Sequence, residues 1–378
     1  MTFYIGLFIL TAVVYYGNNF IKENYQKKMI IYLMFAILLF ISGTRYQLGG
    51  SDYFVYQKCF NVVETLGKFT QTKAAIEDLH LISDFEIGYL FFNSLIKTMG
   101  FSFFGFTLIE ASIWYACMYL GLSKYVRDWA YVLPLFLYKF FFYNTFISMR
   151  QSITIAIFFV AWRYIQEKKP VKYYGLCMLA LLFHNGAILM FAIYPFMQLK
   201  LTKKRLIILN VMCWPFFVLW KLGYSIYGFV SALVGLLPMQ STMVSKAQTW
   251  LTFTESISTF HVLEYMLIML LVIIFYDQIM EQDENAEFIV KIFLWLLPLF
   301  AICGASVLVT RFKDYFTITY GIIIMYLIQI LKGYKKYLIQ TVALVVCAFG
   351  FFRYIILFDN GALMPYVSFL QYGISIFQ

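Results

Sequence analysis

The chain has 378 residues, of which 62% are hydrophobic, 21% aromatic and only 13% charged. A soluble domain carries about twice that charged fraction, so the composition excludes an ordinary water-soluble enzyme and points to a polytopic membrane protein. The net charge of +10 is scattered through loops, which is the pattern of topology signals and anionic-lipid contact, not of a nucleic-acid surface.

Apolar runs recur to the end of the chain. An all-α fold is the expectation, because helices satisfy their own backbone groups in lipid. The alternating ten-residue strands of a β-barrel are absent. Phe3–Phe20 is the first run, with no basic n-region and no small-residue cleavage site, so no cleavable signal is expected. Lys22, Lys27 and Lys28 follow it and place that loop inside. Met29–Gly43 returns outward to a stretch dense in unusual residues, Arg45-Tyr-Gln-Leu-Gly-Gly-Ser-Asp-Tyr-Phe-Val-Tyr56. Gly49 and Gly50 there allow backbone shapes other residues resist and let a ligand approach closely. Residues 57–84 are the most polar region and are expected to form an outer loop with short surface helices. Phe85–Gly100 is too short for a full span of about 17–25 residues and reads as a re-entrant or interfacial helix.

Ser102–Leu122 crosses to Lys124 and Arg127, Trp129–Phe146 goes out, and Ser152–Ile165 comes back to Glu167, Lys168, Lys169 and Lys172. Tyr173–Met197 has basic clusters at both ends. A hairpin broken near His184-Asn-Gly186 keeps both clusters inside and is favoured over a single span. Leu206–Pro238 is long enough for one span or two short ones, and 239–260 is polar and outside. His261–Tyr276 crosses inward to the acidic loop Asp277–Glu287. Phe288–Thr310 goes out to Arg311, Phe316–Leu331 returns, and Tyr337–Leu357 leads to an outer tail at 361–378. The sum is roughly ten to twelve membrane segments, re-entrant helices included. They form a single transmembrane domain over 1–378, with an outer-face loop region at about 44–101.

Five of the six cysteines fall inside apolar runs, and Cys59 alone is expected in a polar loop. The sequence has no P-loop, GxGxxG, HExxH or CxxC pattern, so nucleotide-driven transport and a dedicated metal cage have no local support, and no cofactor is expected.

The residues that break the inside-positive pattern carry the chemistry. Arg45, Arg150 and Arg311 lie at the outer ends of different segments. Arginine gives two-pronged recognition of phosphate, and such a cluster suits a pyrophosphate at headgroup depth. Each alone also reads as a snorkelling side chain or an Arg–Asp pair, as for Arg311 with Asp314 at helical spacing. Asp52 and Glu86 are the carboxylates at matching depth, and either can serve as a general base. Glu86 reads equally as an acid that favours a helix N-terminus. Tyr53, Tyr56 and Tyr89 offer the apolar face and polar tip that suit a sugar ring. His184, embedded in an apolar run, either bonds a neighbouring backbone carbonyl or faces a cavity.

The order of these pieces resembles the EpsG family, the Wzy-like polymerases of bacterial capsule and exopolysaccharide repeat units. The resemblance rests on Arg45-Tyr-(x)2-Gly-(x)2-Asp52-Tyr53-(x)2-Tyr56, Phe85-Glu-Ile-Gly-Tyr89, Ser148-Met-Arg-Gln151, Ala180-Leu-Leu-Phe-His184-Asn, Arg311-(x)3-Tyr315 and Pro365-Tyr366. It covers about residues 30 to 370. Gly49-Gly-Ser-Asp52 has one more small residue than the family's usual Gly-x-Asp. The resemblance implies a GT-C-like fold and a multi-pass protein of the bacterial cytoplasmic membrane with its active site outside. It implies metal-independent, inverting glycosyl transfer between repeat units carried on undecaprenyl diphosphate. The implied partners are those lipid-linked oligosaccharides and polysaccharides, membrane lipid, a chain-length regulator and a flippase. In these terms Arg150, Arg311 and Arg45 would hold diphosphate, Glu86 or Asp52 would be the base, and Tyr53, Tyr56, Tyr89 and His184 would contact saccharide. A flippase or other transporter for the same lipid, a glycan ligase, and a non-catalytic membrane subunit are the competing expectations.

Overall fold

The computed structural model describes residues 1–72, 85–222, 258–301 and 307–378. His80, Cys303, the acidic residues Glu77, Asp78 and Asp84 and the polar stretch 239–257 lie outside the described residues. The described chain is helical, without a named strand, and has two isolated antiparallel bridges, Arg45–Ser368 and Phe101–Phe377. It falls into two compact units, residues 1–194 with 337–378, and residues 195–336.

The first unit contains α1 (Thr2–Gly17), α2 (Asn24–Gly43), α3 (Gly50–Val62), α4 (Ile87–Thr98), α5 (Phe103–Leu122), α6 (Trp129–Phe136), α7 (Met149–Gln166), α8 (Pro170–Leu181) and most of α9 (Ile188–Met197). α2 and α5 each run 20 residues, about 30 Å at the helical rise and enough to cross a bilayer. Ser102 starts α5 by accepting the Gly105 N–H, and Pro170 opens α8 at a position where a missing N–H costs nothing. α4 has 12 residues, roughly 18 Å, so Phe85–Gly100 is a short helix, not a span. α6 runs into two π-helical turns, Leu137–Phe141 and Tyr143–Ile147, and ends at Ser148.

The second unit contains α10 (Lys203–Lys221), α11 (Thr259–Ile274), α12 (Tyr276–Gln282), α13 (Ala286–Leu294), α14 (Leu296–Ala301), α15 (Val307–Phe312) and α16 (Asp314–Ile330). α16 is buried on every side from Asp314 to Ile328, as expected of a helix apolar all round at the centre of its unit. α17 (Gly333–Leu357) begins at the edge of this unit and belongs from Tyr337 onward to the first.

Among the described residues three helices are long and apolar enough to cross a membrane, Asn24–Gly43, Phe103–Leu122 and Gly333–Gly361, or four if the bent pair Thr259–Ile274 with Tyr276–Gln282 is one span. Four shorter apolar helices accompany them: Thr2–Gly17, Trp129–Phe141, Asn185–Met197 and Asp314–Ile330. The expected ten to twelve membrane segments counted re-entrant and shorter helices with the full spans, and both kinds are present among the described residues. Prolines and wide turns cut the apolar runs. The Phe288–Thr310 run is divided at Trp295, where Pro298 removes the N–H that would bond Leu294. The α11–α12 pair bends by 78°.

The Tyr173–Met197 run is a hairpin. α8 stops at Leu181, His184 is extended, and a single 3₁₀ turn at Asn185–Ala187 leads into α9. The two arms face each other: the Tyr173 hydroxyl donates to the Met190 carbonyl at 2.6 Å, and the Tyr173 and Tyr194 rings are 5.4 Å apart. A continuous helix would separate those positions by roughly 30 Å.

The tail closes the first unit. Tyr46 and Phe369 bond Val367 and Thr44 through the backbone, and the Tyr366 hydroxyl reaches the Ile41 carbonyl and Thr44 Oγ1, each at 3.1 Å. The Met364–Pro365 bond is cis. The Pro365-Tyr366 motif is thereby fastened to the stretch that begins at Arg45.

Candidate active site

α3 places one face inward. Tyr53, Tyr56, Cys59 and Phe60 recur at helical spacing and are buried. They join Tyr89 and Leu90 of α4, Phe103 and Phe106 of α5 and Met149 and Ile153 of α7 in one aromatic cluster. Burial pushes the Cys59 thiol up to about 12. Cys59 was expected in a polar loop; α3 turns it inward instead. Asp52, in the first turn of α3, lies off this face and is exposed.

Gly49 begins α3 with φ +136°, and a Cβ there would sit 2.3 Å from the Phe146 carbonyl oxygen. The partner that needs the missing side chain is the chain's own backbone at the end of the π-helical turns, where a close ligand approach was anticipated.

At Ser148 the chain breaks and α7 begins, with Arg150 in its first turn. No acidic residue stands in that turn, so an arginine is set at the positive end of a helix dipole without local relief. The relief comes from Glu86, the residue just before α4. Arg150 Nη1 donates to Glu86 Oε2 at 2.7 Å, with both side chains mostly buried. The Asn185 backbone N–H donates to Glu86 Oε1 at 3.1 Å. Both carboxylate oxygens are thus engaged. The Arg150 guanidinium also stands 4.7 Å from the Phe85 ring centroid and 6.0 Å from that of Tyr56. Burial pushes the Tyr56 hydroxyl up, and the nearby Arg150 charge opposes it.

The turn that supplies Asn185 is built for its task. His184 Nδ1 accepts the Gly186 N–H at 3.0 Å, which caps the 3₁₀ turn. The Gly88 N–H donates to the Leu182 carbonyl at 2.8 Å. A Cβ on Gly88 would lie 2.6 Å from that same oxygen, so the glycine of Phe85-Glu-Ile-Gly-Tyr89 lets α4 and the hairpin turn touch. The backbone partner of His184 Nδ1 is the Gly186 N–H, where a backbone carbonyl was one of the two expectations.

Arg45 lies deeper. It is fully buried; Nη1 donates to the Ser42 carbonyl at 2.6 Å, while Nε and Nη2 have no hydrogen-bond partner among the described residues. Its guanidinium stands near the rings of Phe146 at 5.5 Å and Tyr53 at 5.9 Å. Burial lowers its pKa, and the charge of Glu110 resists that shift. Glu110, buried within α5, accepts from Ser152 Oγ at 2.7 Å. Glu110 was not among the candidates drawn from the sequence. The signal was there: it is the one acid in a 20-residue apolar helix, and an intramembrane carboxylate is a functional candidate by default. The backbone N–H of Asn185 was also missed, since no side-chain pattern announces it.

The first unit therefore brings together Arg150, Glu86, Tyr56 and the His184–Asn185 turn, with Arg45, Tyr53 and Tyr89 packed behind and Asp52 on the exposed side of α3. Arg311 lies in α15 of the second unit, and Lys313 pairs with Asp314 at 3.2 Å. Among the described residues, no group of three or more His, Cys, Asp or Glu is placed to hold a metal ion.

Every motif that carries the resemblance, the Arg311 one excepted, meets in this unit. A sequence model of the EpsG family matches residues 28–368. The chain belongs to the EpsG family. EpsG is a Wzy-like polymerase family, and membership gives this chain the general role of a membrane-associated, glycosyltransferase-type polysaccharide polymerase. No curated protein and no solved structure matches the chain.

Proposed function

We propose that this EpsG protein joins undecaprenyl-diphosphate-linked oligosaccharide repeat units into capsular or exopolysaccharide at the outer face of the bacterial cytoplasmic membrane, on a GT-C-like helical fold. The observation that carries the reading is the contact between Glu86 and Arg150. It sets a carboxylate beside a guanidinium at the end of a membrane segment, in a chain of a polymerase family.

The chemistry follows from those two groups. The terminal hydroxyl of the acceptor repeat unit attacks the anomeric carbon of the donor chain. A carboxylate, Glu86 or Asp52, takes the hydroxyl proton. The bond from the anomeric carbon to the diphosphate oxygen breaks with inversion, and undecaprenyl diphosphate leaves with the electron pair. Diphosphate is already a good leaving group, so the charge it gains needs fixed cations more than a metal. Arg150 supplies one at the N-terminus of α7, where the helix dipole adds to it. Arg311 remains a diphosphate candidate on its sequence position alone. Arg45, being buried, acts as a fixed positive charge behind the site. Tyr56, beside Arg150, is the foremost saccharide contact, with Tyr53 and Tyr89 supporting it and His184 shaping the turn. A flippase delivering the lipid and a chain-length regulator are the partners this reaction needs.

Cells lacking the protein test the reading. They should accumulate the lipid-linked single repeat unit at the outer face of the membrane and make no polymer. Accumulation at the inner face would mean that the protein moves the lipid, and the catalytic reading would fall.

A further inference from the structure

The Glu86 carboxylate sits where an external oxyanion would sit. It is held between the Arg150 guanidinium at 2.7 Å and the Asn185 backbone N–H at 3.1 Å, at the opening turn of an 18-residue helix. Two donors of different origin converge on one acidic group. One is a side chain from α7, the other a backbone N–H from the hairpin turn between α8 and α9. The turn is fixed from both sides, by His184 Nδ1 capping Gly186 and by the Gly88 N–H on the Leu182 carbonyl. A planar carboxylate and a phosphoryl group present similar oxygen pairs to such donors.

We propose that Arg150 and the Asn185 N–H form a phosphoryl-binding seat which the Glu86 carboxylate occupies, so that an incoming diphosphate must displace the Glu86 side chain. This rests on the polymerase reading for the identity of the diphosphate, and the geometry of the seat stands apart from it. The exchange has a chemical consequence. While seated, Glu86 has both oxygens committed to protein donors. Once displaced by the donor's diphosphate, the carboxylate has its oxygens released and is free to swing to the face of the sugar opposite the diphosphate, where an inverting attack brings the acceptor hydroxyl and its proton. Donor binding would thus precede and enable acceptor activation, which guards the site against reaction before the donor is in place.

The test measures affinity. Binding of inorganic pyrophosphate and of undecaprenyl diphosphate in nanodiscs is compared for the wild type, Glu86→Gln, Arg150→Gln and the double variant. Gln keeps an acceptor oxygen for the Asn185 N–H and removes only the charge that competes for Arg150. We expect Glu86→Gln to bind roughly tenfold more tightly, the scale of one charge-assisted contact no longer in competition. That gain should vanish in the Arg150→Gln background. Tightening with both probes means that the phosphoryl group alone is recognised; tightening only with the lipid means that the seat reads the headgroup at its membrane depth. Equal or weaker binding of both probes by folded Glu86→Gln overturns the proposal. A polymer ladder from the wild type, run alongside, separates the two ideas. A ladder without tightening removes the seat and leaves the polymerase, whereas tightening without a ladder leaves the seat and removes the polymerase.

Discussion

Gly88→Ala is the sharpest probe of how the site is assembled. The added Cβ would meet the Leu182 carbonyl oxygen at 2.6 Å, the Leu182 Cβ at 2.7 Å and its carbonyl carbon at 2.9 Å. Two of these are backbone atoms, so no flexible side chain can swing away. Restoring an ordinary carbon–oxygen contact of about 3.3 Å requires α4 and the hairpin turn to part by roughly 0.7 Å. The same movement strains the Gly88 N–H bond to Leu182 and draws Glu86 away from the Asn185 N–H of that turn, which shifts the carboxylate that Arg150 also holds. Overpacking of this kind costs about 1–3 kcal/mol of stability. A displacement approaching 1 Å in a catalytic constellation costs on the order of 10²-fold in rate. Gly175→Ala is the control: it lies in α8 with nothing within 4 Å of its Cβ, and it should be neutral or stabilising by up to about 1 kcal/mol. Polymer yield in complemented cells and the melting temperature of purified protein read both effects. Full polymer yield from Gly88→Ala, at unchanged melting temperature, would refute the claim that this contact sets the position of Glu86.

Other outcomes follow from the same geometry. Arg150→Lys keeps the charge but not the planar group set against Phe85 and Glu86, and polymerisation should fall about 10²-fold or more; wild-type rates would remove the guanidinium from the account. Glu110→Leu removes the carboxylate whose charge helps the buried Arg45 keep its proton and should cost about 1–3 kcal/mol in unfolding experiments. Most of that loss should return in the double variant with Arg45→Met. Because the Cys59 thiol is raised to about 12, it stays protonated and buried at pH 7 to 9, so maleimide should label it only after denaturation; rapid labelling of folded protein near pH 8 would place α3 differently. Cysteines introduced as Lys172→Cys and Leu199→Cys flank the hairpin and should be labelled from one side of the membrane, whereas labelling from opposite sides would restore the single span.

The hairpin was legible in the sequence because two physical signals agreed there: basic clusters at both ends and a polar tripeptide between them. The short α4 was legible from length alone. The site was half legible. Charged residues at segment ends pointed to Arg45, Arg150, Glu86 and Asp52, since charge is costly there without partners. Which of them touch was not readable, because the Glu86–Arg150 contact joins residues 64 apart and depends on a glycine contact between α4 and the hairpin turn. The burial of Arg45 and of Tyr53 and Tyr89 was hidden for the same reason: residues between membrane segments read as exposed until the tail and α3 fold over them. Among the described residues the membrane segments divide into a few long helices and several shorter ones, because prolines and π-helical turns interrupt a helix without lowering its apolarity.

The central claim is that this EpsG protein is a polymerase whose chemistry runs through Glu86 and Arg150. It is tested most directly with purified protein given an undecaprenyl-diphosphate-linked repeat unit, no nucleotide and a chelator. The account predicts a ladder of longer lipid-linked glycans from the wild type and its near-disappearance in Arg150→Lys. A ladder that survives in Arg150→Lys would move the chemistry elsewhere in the chain. No ladder from the wild type, with the lipid crossing a liposome bilayer instead, would contradict the account at its root.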